Sequence, residues 1–151
     1  MKIQIKSFNE LSAAELYEVL YLRNLVFVME QNCVYLDTDR NDDKAHHVMI
    51  YDEDGELAAY ARTFKPGIKY ETCSIGRVVV SPKHRGTQLG HILMENAVKT
   101  VEDFYKTGII TISAQAHLQR FYSKHGFETV SGEYLEDNIP HVEMLRKKEL
   151  I

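Results

Sequence analysis

One segment of the 151-residue chain combines an apolar strand, a basic turn and the start of a helix. Residues 76–91 read Gly-Arg-Val-Val-Val-Ser-Pro-Lys-His-Arg-Gly-Thr-Gln-Leu-Gly-His. A helix that begins after such a turn presents unpaired backbone N–H groups and carries about half a positive charge at its first turn. Gly86 and Gly90 lack a Cβ, so a ligand can approach the backbone closely. The segment therefore predicts a phosphate or pyrophosphate site between a strand and a helix.

Length and charge narrow the classes of protein to which the chain can belong. The length and the 44% of hydrophobic residues suit a single domain over residues 1–151 with its own core. The 18 basic and 22 acidic residues give a net charge of −4, which disfavours a nucleic-acid partner. Lys83, His84 and Arg85 still form a local basic patch that suits an anion.

The same reading predicts a cytoplasmic protein with no membrane partner. The first residues alternate polar and apolar side chains and lack the apolar segment of a signal peptide. No run approaches the roughly 18 apolar residues of a membrane span. Cys33 and Cys73 are the only cysteines and are expected to be free thiols.

Hydrophobic periodicity and turn residues predict the order β-α-β-β-β-α-β-α-β-β. The predicted elements are a strand at residues 3–5, a helix from the capping box 12–15 to Phe27, strands at 47–51, at 57–61 and up to Val80, a helix at 87–105, a strand at 109–112, a helix at 118–124, and strands at 127–130 and 142–145. This order implies an α+β (mixed α/β) fold with helices on the faces of a mixed sheet.

The acidic segment 37–43 has the alternating oxygen side chains of an EF-hand loop, but Asp42 and Val48 stand where that loop needs glycine and glutamate. Cys33 and the His46-His47 pair lack zinc-site spacing. No metal is therefore expected, and the segment is interpreted as a solvated loop.

Two motifs resemble those of the GNAT superfamily of N-acetyltransferases. Residues 85–90, Arg-Gly-Thr-Gln-Leu-Gly, resemble the family's Arg/Gln-x-x-Gly-x-Gly/Ala, with Gln88 in place of a glycine. Residues 115–127 resemble Asn-x-x-Ala-x-x-Phe/Leu-Tyr-x-x-x-Gly-Phe, with Gln115 and Leu118 as departures. The two motifs lie in the family's order with the expected elements between them, which strengthens both.

The resemblance extends over nearly the whole chain to one branch, the ElaA-like acetyltransferases. The segments that carry it are 30–39, 59–62, 75–81, 114–119 and 139–141. It implies a central mixed, mostly antiparallel sheet that splays at the cofactor site, acetyl-CoA as acyl donor, no metal, a small-molecule or peptide amine as acceptor, and a possible homodimer. The residues that it places at the cofactor are Val78, Val79, Val80, Arg85, Gly86, Thr87, Gln88, Leu89, Gly90, His91, Gln115, His117 and Tyr122.

The resemblance also implies roles in direct acetyl transfer to a primary amine. Tyr122 is the candidate acid for the leaving thiolate, because a phenol with a pKa near ~10 is protonated at neutral pH. The N–H of Val79 or Val80 is the candidate oxyanion donor. His141 is the candidate base, with Glu30, His117 or a water relay as alternatives. The acidic segment 37–43 is expected to favour a cationic acceptor.

Two other interpretations stay open. In the first, the chain is a non-catalytic sensor of acyl-CoA with the same fold, an interpretation that Gln88 motivates. Alternatively, it is an α/β nucleotide-binding domain, although neither Gly-x-x-x-x-Gly-Lys-Ser/Thr nor Gly-x-Gly-x-x-Gly is present.

Overall fold

The computed structural model describes residues 1–150, which fold around an eight-stranded sheet. The strands are β1 (Lys2–Ser7), β2 (His46–Tyr51), β3 (Leu57–Phe64), β4 (Cys73–Val80), β5 (Ile109–Gln115), β6 (Phe127–Thr129), β7 (Tyr134–Glu136) and β8 (Ile139–Lys147). The helices are α1 (Ala13–Arg23), α2 (Leu89–Tyr105) and α3 (Gln119–Ser123). The strands follow the order β1-β2-β3-β4-β5-β8-β6, and β7 pairs with β8.

The sheet is antiparallel except where β4 meets β5. These two strands are parallel and pair only at Cys73 with Ile110 and at Ser74 with Thr111. Beyond those pairs the strands separate, and the sheet opens. The predicted mixed, mostly antiparallel sheet with a splay is confirmed.

Helices cover both faces of the sheet, as predicted. On one face, Val19 and Leu22 of α1 pack against Tyr60 and Val79. On the other, the apolar side of α2 is buried on the sheet together with α3, and its buried residues are Leu89, Leu93, Met94, Ala97, Val98 and Val101. The period-3.6 apolar pattern of α2 is the reason it lies flat on the strands.

The capping box starts α1 as the sequence predicts. The Ser12 hydroxyl accepts the Glu15 N–H at 3.0 Å, and the Glu15 carboxylate accepts the Ser12 N–H at 2.8 Å. The helix then widens into a π-helix over Asn24–Glu30. It therefore extends beyond the predicted end at Phe27.

The C-terminal part differs from the predicted elements. The sequence predicts two last strands, whereas the structure has three, because β8 begins at Ile139 and pairs with β7 across a two-residue turn. Asp137 and Asn138 in that turn have φ of 50° and 64°, as in a type I′ hairpin. The polar composition of residues 131–138 hides this hairpin from a hydrophobic pattern. Within residues 1–150, no helix is long and apolar enough to span a membrane.

Candidate active site

A bulge in β4 lies at the opening of the sheet. Two residue steps on β3, from Tyr60 to Arg62, face three steps on β4, from Val79 to Gly76. The extra residue lies at Arg77, whose φ is 52°. A bulge bends the strand that carries it. Here it lies just beyond the last pair between β4 and β5, at the start of the gap between them.

Backbone direction in β4 decides which N–H groups face the gap. The Ser81 N–H donates to the Ala58 carbonyl at 2.8 Å. Because backbone groups alternate along a strand, the Val79 N–H also points toward β3, whereas those of Val78 and Val80 point toward the gap. Of the two candidate oxyanion donors, the geometry therefore favours Val80 over Val79.

The turn before α2 presents N–H groups without partners. The Leu89 N–H donates to the Thr87 hydroxyl at 3.2 Å, and the His91 N–H donates to the Gln88 carbonyl at 3.1 Å. These two N–H groups, predicted as phosphate donors, are therefore already in use. Four N–H groups of the same turn have no partner within residues 1–150, namely those of Gly86, Thr87, Gln88 and Gly90. They lie where the macrodipole of α2 is positive.

The two glycines of the turn have different physical roles. Gly86 has a φ of 79°, and a Cβ there would have no heavy atom within 4 Å, so the ligand side is open. A Cβ on Gly90 would lie 3.3 Å from the Phe121 ring, so this glycine allows α2 to pack against α3 rather than a phosphate to approach. Gln88 has a φ of −83°, a conformation that needs no glycine.

The basic side chains of the turn are ion-paired. Arg85 contacts the Glu30 carboxylate at 2.6 and 2.9 Å, and His84 lies 2.9 Å from Asp52. Lys83 pairs with Glu56. The local basic patch predicted from the sequence is therefore balanced by acidic neighbours.

The ion pair also argues against Glu30 as the base. The hydrogen bonds from Arg85 hold the pKa of Glu30 below its usual value. A carboxylate with a lowered pKa accepts a proton less readily. Glu30 is therefore better suited to be the ion-pair partner of Arg85 than the base that deprotonates an amine.

A cleft of about 120 Å³ lies in the gap between β4 and β5. The segment that follows α1 and the β7–β8 turn form its other walls. Four of the predicted site residues line it, namely Val78, Gln115, Tyr122 and His141. Val79, Val80, the turn 85–91 and His117 do not line it.

His117 and His91 point to other surroundings. His117 is exposed at the start of a short 3-10 turn, outside the cleft. The His91 Nδ1 lies 2.8 Å from the His125 Nε2, and both rings pack at a tilt against Phe121. The geometry therefore gives neither ring a place at the reacting atoms.

The surroundings of Tyr122 suit the role of a proton donor. Its side chain is 7% exposed, and its hydroxyl makes no hydrogen bond with residues 1–150. Burial raises the pKa of Tyr122, so the phenol stays protonated at neutral pH. The hydroxyl is thus available to a group that enters the cleft.

His141 lies on the opposite wall, on β8. Its Nδ1 donates to the Ile139 carbonyl at 2.7 Å, which leaves Nε2 as the basic atom. Nε2 lies 3.3 Å from the Glu136 carboxylate. Sequence reasoning missed Glu136, and the type I′ turn that brings it next to His141 is the signal that could have found it.

A buried network of arginines and aspartates holds the loop beside the cleft. Arg23 and Arg62 both bind Asp42, at 2.7 and 2.8 Å, and Arg23 and Arg77 both bind Asp37, at 2.8 Å each. Asp37 is 3% exposed and Asp42 9%.

The predicted solvated loop is therefore wrong at these positions. A carboxylate leaves water when a charged partner compensates it, and the network supplies one for each of the two. Arginine and aspartate types alone do not reveal such pairs, because Asp37 and Arg77 lie 40 positions apart. No three metal-ligand side chains converge within the part of the chain that the structure describes.

Comparison with known proteins places the chain in a family. Residues 23–148 match the family described as "Acetyltransferase (GNAT) domain". The protein ElaA of Escherichia coli is 43% identical over 141 residues, which cover 92% of each chain.

Comparison with solved structures supports the same family. An acyl-CoA N-acyltransferase of Pseudomonas aeruginosa has a TM-score of 0.90 and 42% identity, covering 97% of this chain and all of the other. The structure of Escherichia coli ElaA has a TM-score of 0.90 and 40% identity, covering 97% and 99%. An aminoglycoside 6′-N-acetyltransferase in complex with coenzyme A, covering 98% and 97% at 18% identity, shares the fold with a TM-score of 0.71. From the splayed sheet to the sequence match, the observations agree that this chain belongs to the GNAT acetyltransferase family, in its ElaA-like branch.

Proposed function

We propose that the chain transfers an acetyl group from acetyl-CoA to a primary amine by direct attack within a ternary complex. The observation that carries the proposal is the position of the Tyr122 hydroxyl, without a hydrogen-bond partner, in the gap between β4 and β5. Family membership supports acyl transfer in general. The coenzyme A bound by the aminoglycoside acetyltransferase supports this choice of donor.

The residues fit such a donor at two places. The unpaired N–H groups of Gly86, Thr87, Gln88 and Gly90 suit the oxygens of a pyrophosphate. The backbone of Val78 and Val80 faces the gap and suits the amides of an extended pantetheine chain, as a peptide adds to a sheet edge. Acetyl-CoA supplies the thioester carbon that the amine attacks.

The protein then has three tasks. The Val78 N–H, which faces the gap from a residue that lines the cleft, donates to the carbonyl oxygen as negative charge develops there, and a donor of this kind contributes about 3 kcal/mol. The Tyr122 hydroxyl gives its proton to the departing sulfur. His141 accepts the proton that the amine loses, at Nε2.

Initial-rate kinetics with acetyl-CoA and a panel of amines tests the proposal. Varying both substrates is expected to give intersecting double-reciprocal lines, since both must be bound before reaction. Parallel lines would contradict direct attack. Tight CoA binding without transfer to any amine would favour the sensor interpretation instead.

The sensor interpretation loses its original motive in this structure. It rested on Gln88 in a position that the family usually gives to glycine. The backbone at Gln88 needs no glycine, and its N–H remains available. Retention of a buried tyrosine with an unpaired hydroxyl also favours turnover over binding alone.

A further inference from the structure

The charged side chains that line the cleft are not balanced. The acidic and basic side chains that line it are those of Arg77, Glu136, Asp137 and His141. The Arg77 guanidinium is committed to Asp37, through Nε to the carboxylate at 2.8 Å and through a second nitrogen to the carbonyl at 3.0 Å. It therefore brings no free positive charge to the cleft.

The acidic segment 37–43 brings no free negative charge either. Asp37, Asp39 and Asp42 each bind an arginine side chain. The one additional cation of this network, Lys69, binds Asp39 and does not line the cleft. The expectation that this segment attracts a cationic amine is therefore not supported by its geometry.

Glu136 and Asp137 are different because no lysine or arginine within residues 1–150 contacts them. Glu136 is half-exposed and has only His141 as a charged neighbour, at 3.3 Å. The Asp137 side chain is exposed, and its carboxylate makes no hydrogen bond or ion pair within residues 1–150, although its carbonyl accepts the Cys33 thiol at 3.2 Å. At least one carboxylate stays uncompensated whether or not His141 is protonated.

The β7–β8 turn places these two acidic residues on the cleft wall. Asp137 and Asn138 adopt positive φ in a two-residue hairpin, and Cys33 ties that turn to the loop after α1. Tyr122 lines the same cleft and its hydroxyl makes no hydrogen bond within residues 1–150, so a ligand there meets a proton donor and an acidic wall together.

We propose that the acceptor carries a second cationic group, which Glu136 and Asp137 hold while its amine faces His141, as in a diamine or polyamine. This inference rests on the proposed function for the identity of the site. A carboxylate at the distal end of an acceptor would instead be repelled. The site thus selects amines by the charge that lies away from the reacting nitrogen.

Three amines test the effect of the distal charge alone: cadaverine, hexylamine and aminocaproate. They share one aminoalkyl chain and differ only in the distal group, which is an ammonium, a methyl or a carboxylate. The measurement is the dissociation constant of each, by NMR titration into protein saturated with CoA. Cadaverine is expected to bind about tenfold more tightly than hexylamine, and aminocaproate most weakly.

Two variants test the residues and a third is a control. Glu136→Gln and Asp137→Asn should each shrink the difference between cadaverine and hexylamine. Glu133→Gln makes the same change of charge on an exposed residue outside the cleft and should preserve it. Equal binding of cadaverine and hexylamine, no binding of cadaverine at millimolar concentration, or an unchanged difference in both cleft variants would overturn the inference.

Acetyl transfer to the same three amines is scored separately from binding. A protein that ranks the amines by charge but acetylates none of them refutes the proposed function and leaves the inference standing. A protein that acetylates hexylamine and aminocaproate as efficiently as cadaverine does the reverse.

Discussion

At the scale of the residue, the proposed proton donor is a largely buried tyrosine on the cleft wall. Tyr122 is buried, and burial raises the pKa of its phenol. A raised pKa favours the protonated form up to a higher pH than usual. We therefore expect that ionisation of Tyr122 does not reduce the proposed activity at neutral or mildly alkaline pH.

Tyr122→Phe tests this role. The variant keeps the ring that packs against Phe121 and Phe127 and loses only the hydroxyl. We expect kcat to fall about 100-fold, because general acid catalysis typically contributes that much or more. The dissociation constant for CoA should change little. Unchanged kcat with an amine that the wild type acetylates would remove Tyr122 from the mechanism.

The Glu30–Arg85 ion pair gives a second residue-scale prediction. If Arg85 binds the pyrophosphate, as its motif implies, it must first leave Glu30, so we expect the pair to compete with CoA. Glu30→Gln should therefore lower the dissociation constant for CoA about two- to fivefold, as expected for an exposed pair. Calorimetric titration measures the change.

A double-mutant cycle provides the control for this prediction. In an Arg85→Ala background, Glu30→Gln should leave CoA affinity unchanged, because the competing partner is absent. Weaker CoA binding in Glu30→Gln alone would indicate that Glu30 supports the site instead of competing for Arg85.

At the scale of the element, the arginine–aspartate network fixes the loop between α1 and β2. Its members come from α1, the loop, β3 and β4, so it links elements that the chain separates. Burial alone would raise the pKa of Asp42, but the Arg23 and Arg62 guanidiniums outweigh it and lower that pKa below its usual 3.8. The cleft wall thus depends on charges buried behind it.

Asp42→Asn should reduce the free energy of unfolding by about 3 kcal/mol, because it leaves two buried guanidiniums without their shared carboxylate. Asp43→Asn is the matched control, since Asp43 is its exposed neighbour. Urea unfolding of both variants at neutral pH measures the difference. A loss as small in Asp42→Asn as in Asp43→Asn would contradict the structural role.

The pH dependence has a definite sign. A lowered folded-state pKa means that Asp42 contributes its full stability above the ordinary value of 3.8 and loses it as the pH falls from there toward the lowered value. The wild type should therefore lose its advantage over Asp42→Asn in that acidic window. A constant difference down through that window would argue against linkage at this carboxyl.

At the scale of the whole molecule, the candidate active site lies where β4 and β5 separate within the sheet. The strands β4 and β5 pair at two positions and then part, so backbone groups that a closed sheet would satisfy remain for a ligand. A ligand that fills the gap completes the hydrogen bonding of the sheet. Donor binding should therefore stabilise the whole fold.

Thermal unfolding tests this expectation. At a CoA concentration of 100 times the dissociation constant, the free energy of unfolding should rise by about 2.7 kcal/mol. For a chain of this length the midpoint should rise by about 5–10 °C. Gly86→Glu places a carboxylate among the phosphate donors and should abolish the shift. A comparable shift with ATP but none with CoA would revive the nucleotide-binding interpretation.

Local sequence patterns were sufficient to predict most helices and strands and also the turn before α2 that presents unpaired N–H groups. The Ser12 capping box and the apolar stripe of α2 involve residues three to four positions apart, so the sequence contains the whole interaction. The motif residues 85–90 predicted the turn, although Gly90 proves to serve helix packing. The β7–β8 hairpin was missed because β7 is only three residues long and lies within a polar segment.

The sequence by itself determined the order of the elements other than β7, the N–H-rich turn and Tyr122 as the acid candidate, because each depends on neighbouring residues or on a motif. Only the tertiary structure decided which N–H groups of β4 face the gap, that Glu30 binds Arg85, and that Glu136 lies beside His141. It also decided that the aspartates 37 and 42 are buried and neutralised while Glu136 and Asp137 are not. Such charge pairing depends on distances between residues far apart in the chain, which only folding sets.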